Sequence, residues 1–231
     1  MHPQQVYGCL KNEDRMGTAM PYGRSCRSKR TDRLLHMSSN EPVAVSAPTP
    51  KETAALLRER RTIHLFTAER PPDELVHNAI DVARWAPNHR LTEPWRFYLL
   101  GEETAAAISE RNAQLVGARR GDSAAKAKLE RWSRIPGWLL VTSRRSTDEV
   151  RDQENYAATA CAIQNLQLYL WSHGVGVKWT TGRVTRDADF WVIVGVDPQV
   201  ERLVGLLWYG YPEAVPSTQR APVEAIFSTR P

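Results

Sequence analysis

The stretch ARWAPNHRLTEPWRFYLL, residues 83–100, changes its structural period half-way along. Just upstream, Leu75, Val76, Ala79, Ile80, Val82 and Ala83 recur at helical spacing in DELVHNAIDVARW, and that spacing predicts an amphipathic helix starting near Pro72 and Asp73. Ala-Pro at 86–87 interrupts it, because the residue before a proline is pushed out of the α region. Beyond Pro94, WRFYLL is a short run rich in aromatic residues that predicts a strand. Between helix and strand stands a corner bearing Asn88, His89, Arg90 and Glu93, with Trp85 and Trp95 on either side.

Outward from this corner, helices and strands alternate without a strict strand–helix–strand repeat, which predicts an α+β fold. A helix is expected over about Lys51–Arg60, others in EETAAAISERNAQLV and SAAKAKLERW, and a short one in DADFWVIVG. Strands are expected in GWLLVTSRR, VGVKWTTG and RLVGLLWYGYP. The longest helix, QENYAATACAIQNLQLYLWSHG, is apolar on most faces and ends at Gly174 as a C-cap. A helix with so little polar surface is expected at the centre of the fold or in a subunit interface.

The 231 residues, with 42% apolar and 25% charged content, are those of an ordinary globular chain. No apolar run reaches the roughly 18–20 residues that a membrane-spanning helix needs. The net charge of +5 is concentrated in residues 1–40, where seven basic and three acidic side chains leave +4. The remaining residues carry 24 basic and 23 acidic groups, a net of +1. A nucleic-acid partner is therefore not expected for the folded part. Residues 1–50 lack periodicity and an apolar signal core, and are expected to be a disordered extension preceding a domain over 51–231. MSSNEPVAVSAPTPKETAALL suggests a biological start at Met37. Three cysteines without a CxxC pair fit a cytoplasmic protein with neither a disulfide framework nor a metal site, and Cys161 reads as a small apolar residue buried in a helix.

Several segments carry possible chemistry. RERRTIH places Arg58, Arg60, Arg61, Thr62 and His64 where a helix gives way to extended chain. Guanidinium forks beside a hydroxyl suit a phosphate or carboxylate, although a basic helix end is also favoured by the helix dipole alone. GVKWTTGR closes a strand with Thr180, Thr181 and Gly182, whose small size leaves backbone amides approachable. Arg220 stands alone in the proline-rich GYPEAVPSTQRAP.

In order, RERRT with Phe66 four residues after Thr62, then APNH…PWRF, then GVGVKWTTG, then GYP…R resembles the nitroreductase family of FMN-dependent oxidoreductases over about residues 51–225, and its short single-domain members most. That resemblance implies a central mixed β-sheet surrounded by helices, the long helix at a homodimer interface, and FMN in a groove built from both subunits. It implies that Arg60, Arg61, Thr62 and Arg220 hold the phosphate and ribityl chain. Pro87, Asn88, His89 and Glu93 would line the flavin. Trp179, Thr180 and Thr181 would run past its ring, with a backbone amide near N5. His64 stands where many relatives have Lys or Arg. Glu93 replaces a Gln, and an ionised carboxylate only accepts hydrogen bonds, so it is as well suited to solvent or to Arg90.

The implied activity is ping-pong transfer of hydride from NADH or NADPH to the flavin, and then to a nitroaromatic, quinone or similar small-molecule acceptor. The cofactor carries that chemistry, so no dedicated acid–base pair is required. Residues 112–136 are a candidate lid. A flavin-binding or flavin-cleaving protein of the same fold without nicotinamide turnover is the alternative, and a binder of nucleic acid or an acidic partner through the basic tail is a third, weaker class.

Overall fold

The computed structural model describes residues 47–231, which form one compact unit; the expectations for the extension and for Met37 fall on residues 1–46, outside the described part. Helix α1 spans Pro50–Glu59. The Thr49 hydroxyl accepts from the Glu52 amide at 3.2 Å, while the Glu52 carboxylate accepts from the Thr49 amide at 3.0 Å. This reciprocal capping box fixes where the helix begins, and so places Arg60 at its C-cap. α2 (Asp73–Ala83) follows, then a 3-10 turn at His89–Leu91 and β1 (Trp95–Leu99). α3 (Glu102–Arg120) and α4 (Asp122–Trp132) form a helical pair broken at Gly121, whose φ of 83° favours glycine. The rest of the domain comprises β2 (Gly137–Arg144), α5 (Glu149–Ser172), β3 (Gly176–Thr180), α6 (Ala188–Val194) and β4 (Glu201–Gly210).

The four strands lie in the order β1-β2-β4-β3, each pairing antiparallel. Among the described residues the sheet is mixed only at one isolated bridge, Thr62 with Val177, which runs parallel. Side chains alternate across the sheet as the pleat requires. Leu139, Val141, Val204, Leu207 and Tyr209 meet α2 and α5 on one face, while Leu140, Leu206 and Trp208 meet Ile108, Trp132 and Phe190 on the other. The fold is therefore α+β with three layers, the sheet in the middle.

α5 buries Asn155, Ala158, Thr159, Ala162, Ile163, Leu166, Gln167 and Leu170 against the sheet. Its opposite side runs through Ala157, Ala160, Cys161, Gln164 and Leu168, all exposed or only half-buried. Cys161 is thus not the buried residue its apolar neighbours suggest; it lies on the outward face, exposed and unpaired. No helix among the described residues is long and apolar enough to cross a membrane.

Candidate active site

The segment Arg60–Thr67 leaves α1 and is laid along the sheet edge. Ile63 donates its amide to the Val177 carbonyl at 3.2 Å, and Thr67 donates to Tyr211 O at 2.9 Å. Gly176 permits this approach, because a Cβ there would overlap the Ile63 side chain. Arg60, Arg61, Thr62 and His64 are thereby held beside β3.

Arg60 is half-buried and donates from Nη1 to Gln167 Oε1 on α5 at 3.3 Å. Burial depresses its pKa, and the positive charges of Arg220 and Arg61 depress it further. Arg220 therefore converges on Arg60 from 160 residues away in the chain. Arg61 donates to the carbonyl oxygens of Arg60, at 2.9 Å, and of Arg58. None of these three guanidiniums pairs with a carboxylate among the described residues. Like charges gathered without a counter-ion cost energy that an anion would offset. A dianionic phosphate monoester fits that deficit, and the donor set matches the phosphate end of FMN.

His64 is exposed, and its pKa is held down by partial desolvation, then by Lys178 and Arg131. It is thus biased towards the neutral imidazole. Thr180 and Thr181 stand at the end of β3 with half-buried and exposed side chains. Trp179 is committed differently. Its Nε1 donates to Val204 O at 2.9 Å, and its indole occupies the space where a Cβ on Gly205 would lie. Only its backbone is left to run past a ligand.

The corner at 87–93 is built by Asn88. Its Oδ1 accepts from the Glu93 amide at 2.7 Å, and its Nδ2 donates to Thr92 Oγ1 at 3.1 Å. Thr92 in turn donates to Asn155 Oδ1 on α5 at 2.8 Å. This staple holds Arg90, Leu91 and Glu93 at φ values of 59°, 50° and 43°, a left-handed region that non-glycine residues seldom adopt. Three such residues within four positions are a concentration of strain of the kind found at ligand sites. His89 Nδ1 lies 2.9 Å from Glu154 Oε2 on α5. The Arg90–Glu93 pair considered from the sequence does not form among the described residues. Pro87 and Glu93 are exposed. The two tryptophans part company: Trp95 is buried in the α5-side core at 8% exposure, whereas Trp85 is 76% exposed.

The predicted residues thus form two groups in one chain. Arg60, Arg61, Thr62, His64, Trp179, Thr180, Thr181 and Arg220 belong to the first; Pro87, Asn88, His89 and Glu93 belong to the second. Their anchors on α5, Gln167 and Glu154, are thirteen residues apart, roughly 20 Å at 1.5 Å per residue. Sequence reasoning missed Gln167, Glu154 and Asn155, which lie on the long helix with no local signature. A cavity of about 980 Å³ between α3, α4 and the loop around Arg70 is lined by none of the twelve candidates. No group of three metal-ligating side chains exists among the described residues.

Comparison with known proteins bears on the family and the fold. The family model described as "Nitroreductase family" matches residues 57–211. The Bacillus subtilis (strain 168) protein "Putative NAD(P)H nitroreductase YfhC" is 32% identical over 178 residues, covering 75% of this chain and 91% of the relative. A nitroreductase-like family protein from Bacillus cereus superposes with a TM-score of 0.70 at 27% identity, covering 81% of this chain and 99% of that one. Oxidised iodotyrosine deiodinase bound to FMN and 3-iodo-L-tyrosine superposes with a TM-score of 0.60 at 25% identity, covering 77% and 99%. With its α+β architecture, its paired arginines and its strained polar corner, the chain belongs to the nitroreductase family.

Proposed function

We propose that this protein is an FMN-dependent oxidoreductase that takes electrons from NADH or NADPH and passes them to a nitroaromatic, quinone or related electrophilic small molecule. The observation that carries the reading is the convergence of Arg60, Arg61 and Arg220 without a carboxylate counter-ion. Two relatives support it: one is named for NAD(P)H nitroreductase activity, and the other holds FMN in its structure.

In this reading the arginines and Thr62 bind the phosphate and ribityl chain. The backbone at Thr180–Gly182 presents amides to the ring, since small side chains there leave the main chain accessible. When bound, FMN supplies hydride acceptance and donation at N5. The chain's own residues orient and polarise: His64, biased towards neutrality, contributes less positive charge at the flavin edge than a Lys would.

The corner Pro87–Glu93 is anchored at Glu154, thirteen residues along α5 from the Gln167 anchor of Arg60. A flavin lined by both groups would draw the corner from a second copy, which favours the homodimer. The outward face of α5, with Ala157, Cys161 and Leu168, is small and weakly polar enough to be covered in such a dimer.

Titration of the protein with FMN tests the reading. Arg60→Ala and Arg220→Ala should each weaken binding by about tenfold to a hundredfold, the value of a charged hydrogen bond. Unchanged affinity in both variants would reject the phosphate assignment.

A further inference from the structure

One face of α3 is built from small residues flanked by carboxylates. Glu102, Ala105, Ala106, Ser109 and Glu110 recur at helical spacing and so share one side of the helix. The two alanines and the serine leave space that the chain does not fill, and the cavity of about 980 Å³ opens there, between α3, α4 and the loop around Arg70. That volume is at the upper end of small-molecule sites, roughly 300–1,000 Å³. The cavity lies at the Gly176–Gly210 end of the sheet, where a Cβ on Gly210 would press on Pro136 and Phe66, both of which line it. Thr180 pairs with Leu206, four residues further along both strands and roughly 13 Å away.

Its lining has a definite chemical character. Phe66, Leu100, Trp132 and Trp138, all buried, make an apolar and mostly aromatic floor. The Trp132 and Trp138 rings stand 5.6 Å apart at 63°. Trp138 Nε1 donates to Ile135 O at 3.3 Å, so its polar edge is already used within the chain. Above this floor are four carboxylates, Glu102, Glu110, Glu130 and Glu213, against two guanidiniums, Arg70 and Arg134, a net of −2. Arg70 is committed to Asp73 at 2.8 Å, and none of the four carboxylates forms an ion pair among the described residues. Ser109 and Ser133 also line the cavity, and both donate their hydroxyl protons to backbone carbonyls, of Ala105 and Glu130. What the serines retain is acceptor capacity. Residues 41–231 as a whole are nearly neutral, so this acceptor-rich lining is a local feature.

We infer that the cavity binds an organic cation, a protonated amine carried on an aromatic body. The aromatic part lies against Trp132, Trp138 and Phe66, where burial and ring contacts favour it. The ammonium supplies donors and positive charge to a lining that has acceptors and negative charge to offer, and tryptophan faces attract cations in addition. None of the twelve candidate residues lines this cavity, so the site stands whether or not the flavin reading holds.

The test is calorimetric titration of the full-length protein as purified with 2-phenylethylamine at neutral pH, and separately with 2-phenylethanol and 3-phenylpropionate, at constant ionic strength. Saturable binding of the amine is expected, about tenfold tighter than that of the neutral or the anionic probe. Glu110→Gln with Glu130→Gln removes two rim charges and should weaken the amine by about tenfold, since each exposed carboxylate contributes a factor of a few. Ala106→Leu places bulk in the cavity at an exposed helical position that leucine suits, and should abolish binding while leaving the fold intact. Arg60→Ala should bind the amine as the parent does. The inference is overturned if the amine gives no saturable heat, or if the alcohol or the carboxylate binds as tightly. It is equally overturned if the double glutamine variant or Ala106→Leu binds like the parent, or if Arg60→Ala abolishes binding, which would put the amine at the arginine cluster instead.

Discussion

Arg60 shows how a residue can be legible in the sequence while its circumstances are not. Its type and its neighbours Arg61 and Thr62 mark an anion site in the linear chain. The half-buried setting, the bond to Gln167 and the approach of Arg220 arise only from folding. His64 is a departure visible in the sequence whose consequence needed the structure. Partial desolvation, then the charges of Lys178 and Arg131, hold its pKa below the ordinary value near 6.5. The folded state then binds fewer protons than the unfolded chain as pH falls through that value, so stability is lost on acidification. Thermal unfolding of the parent and His64→Gln between pH 7.5 and 5.5 should show a smaller decline in the variant. An identical decline would mean His64 is not under that electrostatic pressure. His89 and Glu154 stand 65 positions apart, and nothing in either segment announces the pair.

Among the elements, apolar spacing marked α2, because burial on one side dictates it, while β1 was legible from its aromatic composition and α5 from its length and low polarity. The corner at 87–93 was visible as a break, yet its left-handed residues were not, since Arg, Leu and Glu carry no mark of positive φ. Asn88 holds that geometry against strain. Asn88→Ala should destabilise the fold by about 1–2 kcal/mol, the value of the half-buried hydrogen bonds it removes from a strained corner. Urea unfolding measures this directly, and an unchanged midpoint would show that the strain is held elsewhere. Gly205 is the other sensitive point, since Trp179 occupies the space above it. Gly205→Val forces the indole away from its bond to Val204 and should cost about 1–3 kcal/mol as overpacking. Neither the Trp179–Gly205 fit nor the single parallel bridge at Thr62 follows from local pattern, because each is set by distant chain.

For the molecule as a whole, the sequence conveyed family and layer architecture, but not the partition of candidate residues into two groups along α5. That partition depends on the length of one helix, and it is what the proposed dimer rests on. Cys161 sits mid-way on the outward face of α5. Cys161→Arg should shift the protein towards monomer in light scattering and reduce flavin retention with it. A monomeric parent that holds FMN as tightly as any variant would reject a shared groove. The most direct measurement is the absorption spectrum of the purified protein, followed by anaerobic addition of NADPH and then of NADH. The account predicts flavin bands at roughly 370 and 450 nm that bleach with at least one reductant. A colourless protein that takes up no added FMN, or a yellow one that neither nucleotide bleaches, would contradict it.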